Sequence, residues 1–158
     1  MMIFFLSLGS NISPRHHYID AACGLIEQRV GHIFRRSSDF YSAPWGYTSD
    51  HQYLNIALLL SSSLSPEQLL AATQLIEREL GRTVKNHYQD RTIDIDLIAC
   101  FSDNSTEGAG ASAAYKEIIL RTHDLVLPHP LAHERPFVMV PLREISAGFP
   151  LSITLDIR

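Results

Sequence analysis

Hydrophobic residues recur along this chain with two different periods, and the period switches several times. Apolar runs and every-second-residue alternation predict strands, whereas apolar residues spaced three and four positions apart predict helices. The first two thirds of the sequence can be divided in this way. The predicted elements are a strand at Ile3–Leu8, a helix from Ser13-Pro14 to Gly31, strands at Ile33–Tyr41 and about Gln52–Leu60, a helix from Ser65 to Gly81, and a strand at Thr92–Phe101.

The ends of the two predicted helices carry recognisable signals. In the first helix Ser13 is expected to be the N-cap, Pro14 to lie in the first turn, and Gly31 to follow the last residue. In the second helix Ser65 is followed by a proline and, three positions on, by Gln68, which is the spacing of a capping box.

The last third of the chain is harder to divide. Residues 102–114 are rich in Ser, Ala and Gly without periodicity and predict a flexible surface insertion. Tyr115–Leu120 predicts a short strand, His123–Pro141 is interrupted by prolines and predicts no regular element, and Leu151–Ile157 alternates weakly, as in an edge strand. The element order predicts a single α+β domain over residues 1–158, with a ferredoxin-like antiparallel sheet backed by two helices.

Composition restricts the classes of function. The chain is 46% hydrophobic and 19% charged. This is typical of an ordinary globular domain, and no apolar stretch is long enough to span a bilayer. The net charge of −4 argues against nucleic-acid binding, which favours a basic surface. Cys23 and Cys100 lie in apolar stretches and form no Cys-x-x-Cys pair, which indicates buried thiols in a reducing compartment. We therefore expect a cytoplasmic protein without a membrane or nucleic-acid partner.

Two carboxylates stand two positions apart in the last long predicted strand, at Asp94 and Asp96. A strand turns alternate side chains to the same face, so the two carboxylates point together, about 6.6 Å apart along the backbone. Like charges repel unless a cation lies between them, and Mg²⁺ typically takes one or two carboxylates and completes its shell with water and phosphate oxygens. Arg91 adds a guanidinium that suits a phosphate. A solvated polar strand face is the alternative interpretation.

A second group of residues is suited to bind a flat heterocyclic ligand. Tyr53 and Asn55 share one face of the third predicted strand, where an aromatic plane stands beside an amide with donor and acceptor atoms. Trp45 lies in a Pro-Gly loop just before this strand and could cover a pocket, and Phe137 could supply a second aromatic plane. Ordinary packing is the alternative for each of them.

The familiar phosphate-binding loops are absent, because no glycine is followed by lysine and no G-x-G-x-x-G occurs. A nucleotide would therefore have to be held by side chains and a metal ion. His129 and His133 are spaced like a zinc pair, but Pro130 interrupts the helix that such a pair needs. A histidine that hydrogen bonds a nucleotide, or a plain loop histidine, is the better interpretation of His129.

Taken together, these segments resemble the 6-hydroxymethyl-7,8-dihydropterin pyrophosphokinases of folate biosynthesis. Each stretch is weak evidence alone, but the set occurs in family order over nearly the whole chain. The matching stretches are Leu8-Gly9-Ser10-Asn11, Tyr41-Ser42-Ala43-Pro44-Trp45-Gly46, Gln52-Tyr53-Leu54-Asn55, Glu77-x-x-Leu80-Gly81-Arg82, Arg91-Thr92-Ile93-Asp94-Ile95-Asp96, and Pro128-His129-Pro130 continuing to Arg135-Pro136-Phe137-Val138.

The resemblance implies transfer of the β,γ-diphosphate of ATP to the pterin hydroxymethyl group, with release of AMP. It further implies that Asp94 and Asp96 hold two Mg²⁺ ions and that Arg82 and Arg91 act on the phosphates as catalytic residues. The implied pterin-binding residues are Ser42, Ala43, Pro44, Trp45, Tyr53, Asn55 and Phe137, and the implied ATP-binding residues are Gln74, Glu77, Arg82, Arg91, His129 and Arg135.

The chain departs from the family pattern where charge is expected. Val84 stands where the family commonly has an arginine, Asp90 replaces a proline before Arg91, and Asp124 occupies a place where a basic residue can occur. Two alternatives to the kinase therefore stay open at this point. One is a pterin-binding module of the same fold with weakened catalysis, and the other is a metallohydrolase that uses the two aspartates and His129.

Overall fold

Strands with buried faces and helices with one buried side make up most of the described chain. The computed structural model describes residues 1–81, 89–103 and 115–155. The elements are β1 (Met2–Ser10), α1 (Arg15–Arg29), β2 (His32–Arg36), β3 (Phe40–Ser42), β4 (Tyr53–Ser62), α2 (Pro66–Glu79), β5 (Asp94–Asp103), β6 (Tyr115–Glu117), β7 (Leu120–Arg121), β8 (Val126–Leu127), a 3₁₀ turn (Ala132–Glu134), α3 (Pro136–Ile145) and α4 (Ser152–Leu155).

The main sheet is antiparallel, with the order β2-β4-β1-β5-β6 and with β3 paired to the other end of β4. Counting β2 and β3 as one interrupted strand, the four principal strands lie in the order last-first-third-second, which is the ferredoxin-like arrangement. The predicted α+β fold is thus confirmed. The strand predicted at Ile33–Tyr41 is divided into β2 and β3, because the pairing is irregular at Ser37. Its backbone N–H donates to the Ala57 carbonyl at 3.0 Å, but its hydroxyl, in place of its carbonyl, accepts from the Ala57 N–H at 2.8 Å.

Two hydrophobic cores lie on opposite faces of the sheet. Alternate residues of β1 and β4, such as Leu6 and Leu58, pack under α1 and α2, while their neighbours, such as Phe5 and Leu59, pack against α3. The sequence predicted two helices, whereas α3 is a third, on the other face. It begins inside the proline-rich stretch His123–Pro141, for which we predicted no regular element, and extends to Ile145. Pro136 occupies its first turn, and Pro141 is buried within it.

Helix termini agree with the sequence signals at one helix and differ at the other. The capping box of α2 is present, with the Ser65 hydroxyl accepting from the Gln68 backbone N–H at 3.2 Å and Gln68 Oε1 accepting from the Ser65 backbone N–H at 2.9 Å. The prediction that Ser13 caps α1 is wrong, because Pro14 is the N-cap and no side chain in the described part of the chain caps this helix. Gly31 follows α1 as expected, and a Cβ there would lie 2.1 Å from the Ser61 carbonyl oxygen.

Ser152–Leu155 form the helix α4, so within the described residues the edge strand predicted at Leu151–Ile157 is wrong. Leu151 and Ile153 are both buried in the core on the α3 side. The Ser152 N–H donates to the Glu117 carboxylate at 3.1 Å, so it is not available to a strand ladder. Residues 156–158 lie outside the described residues, and so does the predicted insertion from residue 104 onward, while residues 102 and 103 still belong to β5.

Candidate active site

A pocket opens where α3 stops covering its face of the sheet. Direct pairing places Ser7 of β1 beside Asp96, and Gly9 beside Asp94 on one side and Asn55 on the other. Side chains of directly opposed residues point to the same face. The lining residues are Ser7, Gly9, Ser42, Trp45, Tyr47, Tyr53, Asn55, Arg91, Asp94, Asp96, Arg135 and Phe137.

The two aspartates point into this pocket, as their alternation in the strand predicted. Their sequence neighbours Ile93, Ile95 and Leu97 are buried in the opposite core. The Asp94 side chain is 28% exposed and accepts from Arg91 Nη1 at 2.9 Å. The Asp96 side chain is 33% exposed, with Arg135 Nη1 at 3.9 Å from one oxygen. Both carboxylates are therefore partly neutralised and still reachable from the pocket.

The donor set of the pocket fits Mg²⁺ that is shared with a phosphorylated ligand. Among the described residues there is no group of three or more His, Cys, Asp or Glu side chains that could hold a metal ion. Asp94 and Asp96 nevertheless offer paired carboxylate oxygens on one face, and Mg²⁺ needs only one or two carboxylates when phosphates and water complete its shell. This fit does not extend to zinc, which takes four protein ligands in structural sites and three in catalytic sites.

Asn55 is 2% exposed and oriented by the protein. Its Nδ2 donates to the Phe40 carbonyl at 2.9 Å and to the Ser42 hydroxyl at 2.9 Å, which uses both amide protons. The Oδ1 atom is therefore left on the pocket side, beside Gly9. This orientation provides an acceptor for the N–H groups of a ligand, and Ser42 can still donate its own hydroxyl proton.

Tyr53 and Tyr47 join the pocket floor to the residues that precede Arg91. Their hydroxyl oxygens lie 3.0 Å apart, and the Tyr53 hydroxyl donates to the Gln89 carbonyl at 3.2 Å. Burial raises the pKa of both phenols above the ordinary value, with the neighbouring hydroxyl adding to the shift at Tyr53. Both side chains are therefore neutral at physiological pH and act through hydrogen bonds and ring contacts.

Arg135 connects the aromatic and acidic sides of the pocket. Its guanidinium carbon lies 4.5 Å from the ring centre of Trp45 and 5.9 Å from that of Phe137. Its side chain is 15% exposed, and its Nε is buried without a hydrogen-bond partner among the residues that the structure describes. A buried donor without a partner is uncommon in proteins and is expected where a ligand would supply the acceptor.

His129 lies in a neighbouring depression that shares Asp96 with the main pocket. Leu70, Leu97 and Pro130 contribute apolar walls there. Burial, assisted by the positive charge of Arg135, lowers the pKa of His129 to about 4, so the ring is neutral at pH 7. Its Nδ1 accepts from the Leu131 backbone N–H at 3.2 Å. This contact leaves the ring proton on Nε2.

The remaining predicted site residues are distributed unevenly. Glu77 is 5% exposed and accepts from the Ile95 backbone N–H at 2.7 Å, so it holds the strand between the two aspartates from the α2 side. Gln74 is exposed on α2. Ala43 and Pro44 lie between Ser42 and Trp45 without lining the main pocket. Arg82 lies outside the described residues, and so does Val84, one of the departures from the family pattern.

Four residues near or in the pocket were not assigned a role from the sequence. Ser7, Gly9 and Tyr47 line it. Asn11 lies beside it and hydrogen bonds Asp90, which is remote in sequence. Gly9 and Asn11 belong to a stretch that matched the family, and this stretch lies at the end of β1. That match was the signal from which a role for the two residues could have been predicted. Tyr47 carried no such signal, because its partners are remote in sequence.

The sheet order and the pocket define a ferredoxin-like α+β protein whose open sheet face brings aromatic, amide and carboxylate side chains together. A profile of the 7,8-dihydro-6-hydroxymethylpterin-pyrophosphokinase (HPPK) family matches residues 5–147. The chain therefore belongs to this family, and it is a pyrophosphokinase of folate biosynthesis.

Relatives support this assignment over most of their length. The chain is 38% identical over 149 residues to the 2-amino-4-hydroxy-6-hydroxymethyldihydropteridine pyrophosphokinase of Porphyromonas gingivalis, covering 92% of each protein. It is 36% identical over 144 residues to the Bacillus subtilis protein of the same name, covering 90% of this chain and 77% of the relative.

A solved structure shows the same fold. A crystal structure of an HPPK-DHPS protein in complex with substrates superposes with a TM-score of 0.64 at 14% identity. The superposition covers 98% of this chain and 42% of that one.

The part of the chain that the structure describes contains no helix with the length and apolar character needed to cross a membrane.

Proposed function

We propose that this chain transfers the diphosphate of ATP to the hydroxymethyl group of 6-hydroxymethyl-7,8-dihydropterin, releasing AMP, through the pocket described above. The observation that carries the proposal is the presence of Tyr53, Asn55 and Phe137 in one cavity with Asp94 and Asp96. A flat heterocycle held by the first three residues would have its substituent beside the two carboxylates.

The pterin would lie against the Tyr53 and Phe137 rings. Asn55 Oδ1 would accept hydrogen bonds from the amino and ring N–H groups, since its Nδ2 is already used within the protein. Ser42 to Trp45 would close the outer side of the pocket. Held in this way, the hydroxymethyl oxygen is placed for attack without a new ordering cost at the reaction step.

The phosphates of ATP would lie along Asp94, Asp96, Arg91 and Arg135. When bound, Mg²⁺ (two ions are proposed) would neutralise the triphosphate charge and polarise the phosphoryl group. The chain's own residues supply positioning and electrostatics, which are the main requirements of phosphoryl transfer. Arg91 is fixed for this role, because its backbone N–H donates to Asn11 Oδ1 at 2.7 Å.

The nucleoside would extend into the depression beside Asp96. His129 offers a neutral ring there with a hydrogen-bond donor at Nε2. Glu77 would act indirectly, because its carboxylate accepts from the Ile95 N–H and so holds β5 without contacting the nucleotide. Gln74 and Arg82 belong to the proposed ATP side from the family resemblance alone. A cytoplasmic location is likewise proposed, in line with the free thiols of Cys23 and Cys100.

The test is a product analysis with ATP, Mg²⁺ and 6-hydroxymethyl-7,8-dihydropterin. Pterin-dependent AMP in place of ADP, lost on Asp96→Asn, is the expected result. Release of phosphate without a pterin acceptor would instead indicate a hydrolase. Pterin binding with no AMP at saturating ATP would indicate a binding module with lost catalysis.

A further inference from the structure

Three segments that are distant in sequence meet at the carboxylate of Asp90. One is the turn after β1 that contains Asn11, the second is the segment of residues 43–51 between β3 and β4, and the third is the stretch of residues 89–91 that leads into β5. Asn11 Nδ2 donates to Asp90 Oδ1 at 2.8 Å, and the Tyr47 hydroxyl donates to the same oxygen at 3.2 Å.

The other carboxylate oxygen contacts the same segment. His51 Nδ1 lies 3.1 Å from Asp90 Oδ2, and the Ser49 hydroxyl also hydrogen bonds the carboxylate. Both oxygens of one side chain therefore hold residues of the 43–51 segment. Burial alone would raise the pKa of Asp90, but the hydrogen bonds from Ser49, Asn11 and Tyr47 outweigh it and lower the pKa below its ordinary value.

The stretch that carries Asp90 is itself attached to the turn after β1. The Arg91 N–H donates to Asn11 Oδ1 at 2.7 Å, and the Arg91 carbonyl accepts from the Asn11 N–H at 3.1 Å. Arg91 is thus anchored through its backbone independently of the Asp90 side chain. Asn11 Nδ2 also lies 3.2 Å from the Tyr47 hydroxyl and 3.3 Å from the His51 carbonyl oxygen, and these contacts do not involve Asp90. Loss of the carboxylate would therefore loosen the 43–51 segment without detaching it and would leave Arg91 beside Asp94.

We propose that Asp90 is a positioning residue for the pterin pocket, because it holds the 43–51 segment in place before the substrate arrives. This inference rests on the proposed function. The segment brings Trp45 and Tyr47 to the pocket wall, and Tyr47 in turn contacts the hydroxyl of Tyr53. Holding a binding segment in its bound conformation lowers the ordering cost of binding, so the effect belongs to pterin affinity.

Steady-state kinetics of Asp90→Ala separate positioning from a general structural role. The KM for pterin at saturating ATP should rise about tenfold, while kcat and the KM for ATP stay within about twofold, since charged-group hydrogen bonds at one segment are lost. Asp90→Asn should fall between, because its Oδ1 can still accept from Asn11 and Tyr47 while the charge facing His51 is gone.

Trp45 provides a direct readout of the segment, because it is the single tryptophan of the chain. Acrylamide quenching of the ligand-free protein should increase in Asp90→Ala and to a smaller extent in Tyr47→Phe. Asp50→Ala is the matched control: it removes an exposed carboxylate from the same segment. Its kinetics and quenching should equal those of the wild type.

Two failures are distinguishable. An active wild type together with an unchanged pterin KM in Asp90→Ala would overturn the positioning role alone, and so would a parallel change in pterin KM, ATP KM and kcat. A wild type that forms no pterin-dependent AMP would overturn the proposed function on which this inference rests. If Asp90→Ala does not fold, the same comparison is made with Asp90→Asn and Tyr47→Phe.

Discussion

The Arg135 guanidinium lies over the indole ring of Trp45, with 4.5 Å between its carbon and the ring centre, and so joins α3 to the segment between β3 and β4. The same guanidinium has Asp96 at 3.9 Å. One cation therefore contacts both the aromatic wall of the proposed pterin site and one of the proposed metal ligands.

Replacement of Arg135 by lysine should weaken both contacts although the charge is retained. The planar guanidinium stacks on an aromatic ring and presents a fixed fork of donors, whereas an ammonium does neither. A cation–π contact contributes about 0.5–2 kcal/mol, so we expect a loss of kcat/KM of at least about threefold and greater quenching of Trp45. Arg143→Lys, an exposed position of α3, is the control and should leave both unchanged. Equal values for the two variants would contradict this contact as a functional one.

Asp94→Asn and Asp96→Asn should both lower AMP formation by at least about a hundredfold, since charge at the phosphoryl group is removed. Their stabilities should differ. Asp94 accepts from an Arg91 side chain that is only 10% exposed. Loss of this charged hydrogen bond in Asp94→Asn should lower the free energy of unfolding by about 1 to about 2 kcal/mol. Loss of the longer contact between Asp96 and Arg135, at 3.9 Å, should cost less in Asp96→Asn than loss of the Arg91 contact costs in Asp94→Asn.

Urea unfolding at fixed Mg²⁺ measures this difference, with Asp50→Asn as a control that should leave activity and stability unchanged. Equal destabilisation by Asp94→Asn and Asp96→Asn would show that the Asp94 contact with Arg91, at 2.9 Å, contributes no more than the longer one. Full activity in either variant would remove that carboxylate from the proposed metal site.

Gly9→Ala should weaken pterin binding with little effect on folding. A Cβ at this position would lie 3.2 Å from Asn55 Oδ1 and 3.3 Å from Tyr53 Cδ1, so the two proposed pterin contacts would have to move by a few tenths of an ångström. We expect the KM for pterin to rise about tenfold, which is the lower end of the change that one methylene group causes in a binding pocket.

Gly24→Ala is the matched control for this substitution. Gly24 lies within α1, and a Cβ there meets nothing within 4 Å. Alanine in a helix interior is favoured over glycine by about 0.8–1.0 kcal/mol, so this variant should be more stable with an unchanged KM. A KM increase in Gly24→Ala of the same size would trace the Gly9 effect to something other than the pocket.

Local patterns were sufficient to predict the sheet and to predict which polar and aromatic side chains share a strand face. Alternation in β4 separated Tyr53 and Asn55 from the core residues, and the same rule placed Asp94 and Asp96 together, because strand geometry has a fixed period of two. The helix α3 was missed since prolines at 136 and 141 conceal its periodicity.

Contacts between remote segments could not be predicted from the sequence. The Asn11–Asp90 hydrogen bond joins residues 79 positions apart, and no local pattern distinguishes such an aspartate from a solvated loop carboxylate. In the sequence, Asp90 was only a departure from the family pattern, which has a proline before Arg91. In the structure, both of its carboxylate oxygens contact other segments of the chain. Tertiary contact of this kind depends on how loops dock, which composition and periodicity do not report.

His129 should make the protein more sensitive to acid than an exposed histidine does. Its pKa is lowered from 6.5 to about 4 by burial and by Arg135, so the native state binds the proton more weakly than the unfolded chain does. Between these two pH values the unfolded chain therefore gains protons first, and stability falls as the pH decreases. The stabilisation is fully present above about pH 6.5 and is lost as the pH approaches 4.

His129→Asn tests this dependence, because the asparagine Oδ1 can replace Nδ1 as acceptor for the Leu131 N–H. Urea midpoints of the variant should fall less between pH 7 and pH 4.5 than those of the wild type. His123→Asn is the control, since the His123 side chain is 98% exposed, and it should follow the wild-type curve. If His129→Asn also follows that curve, the neutral ring does not contribute to acid stability, and the argument that His129 is held neutral at the proposed nucleotide site loses its support.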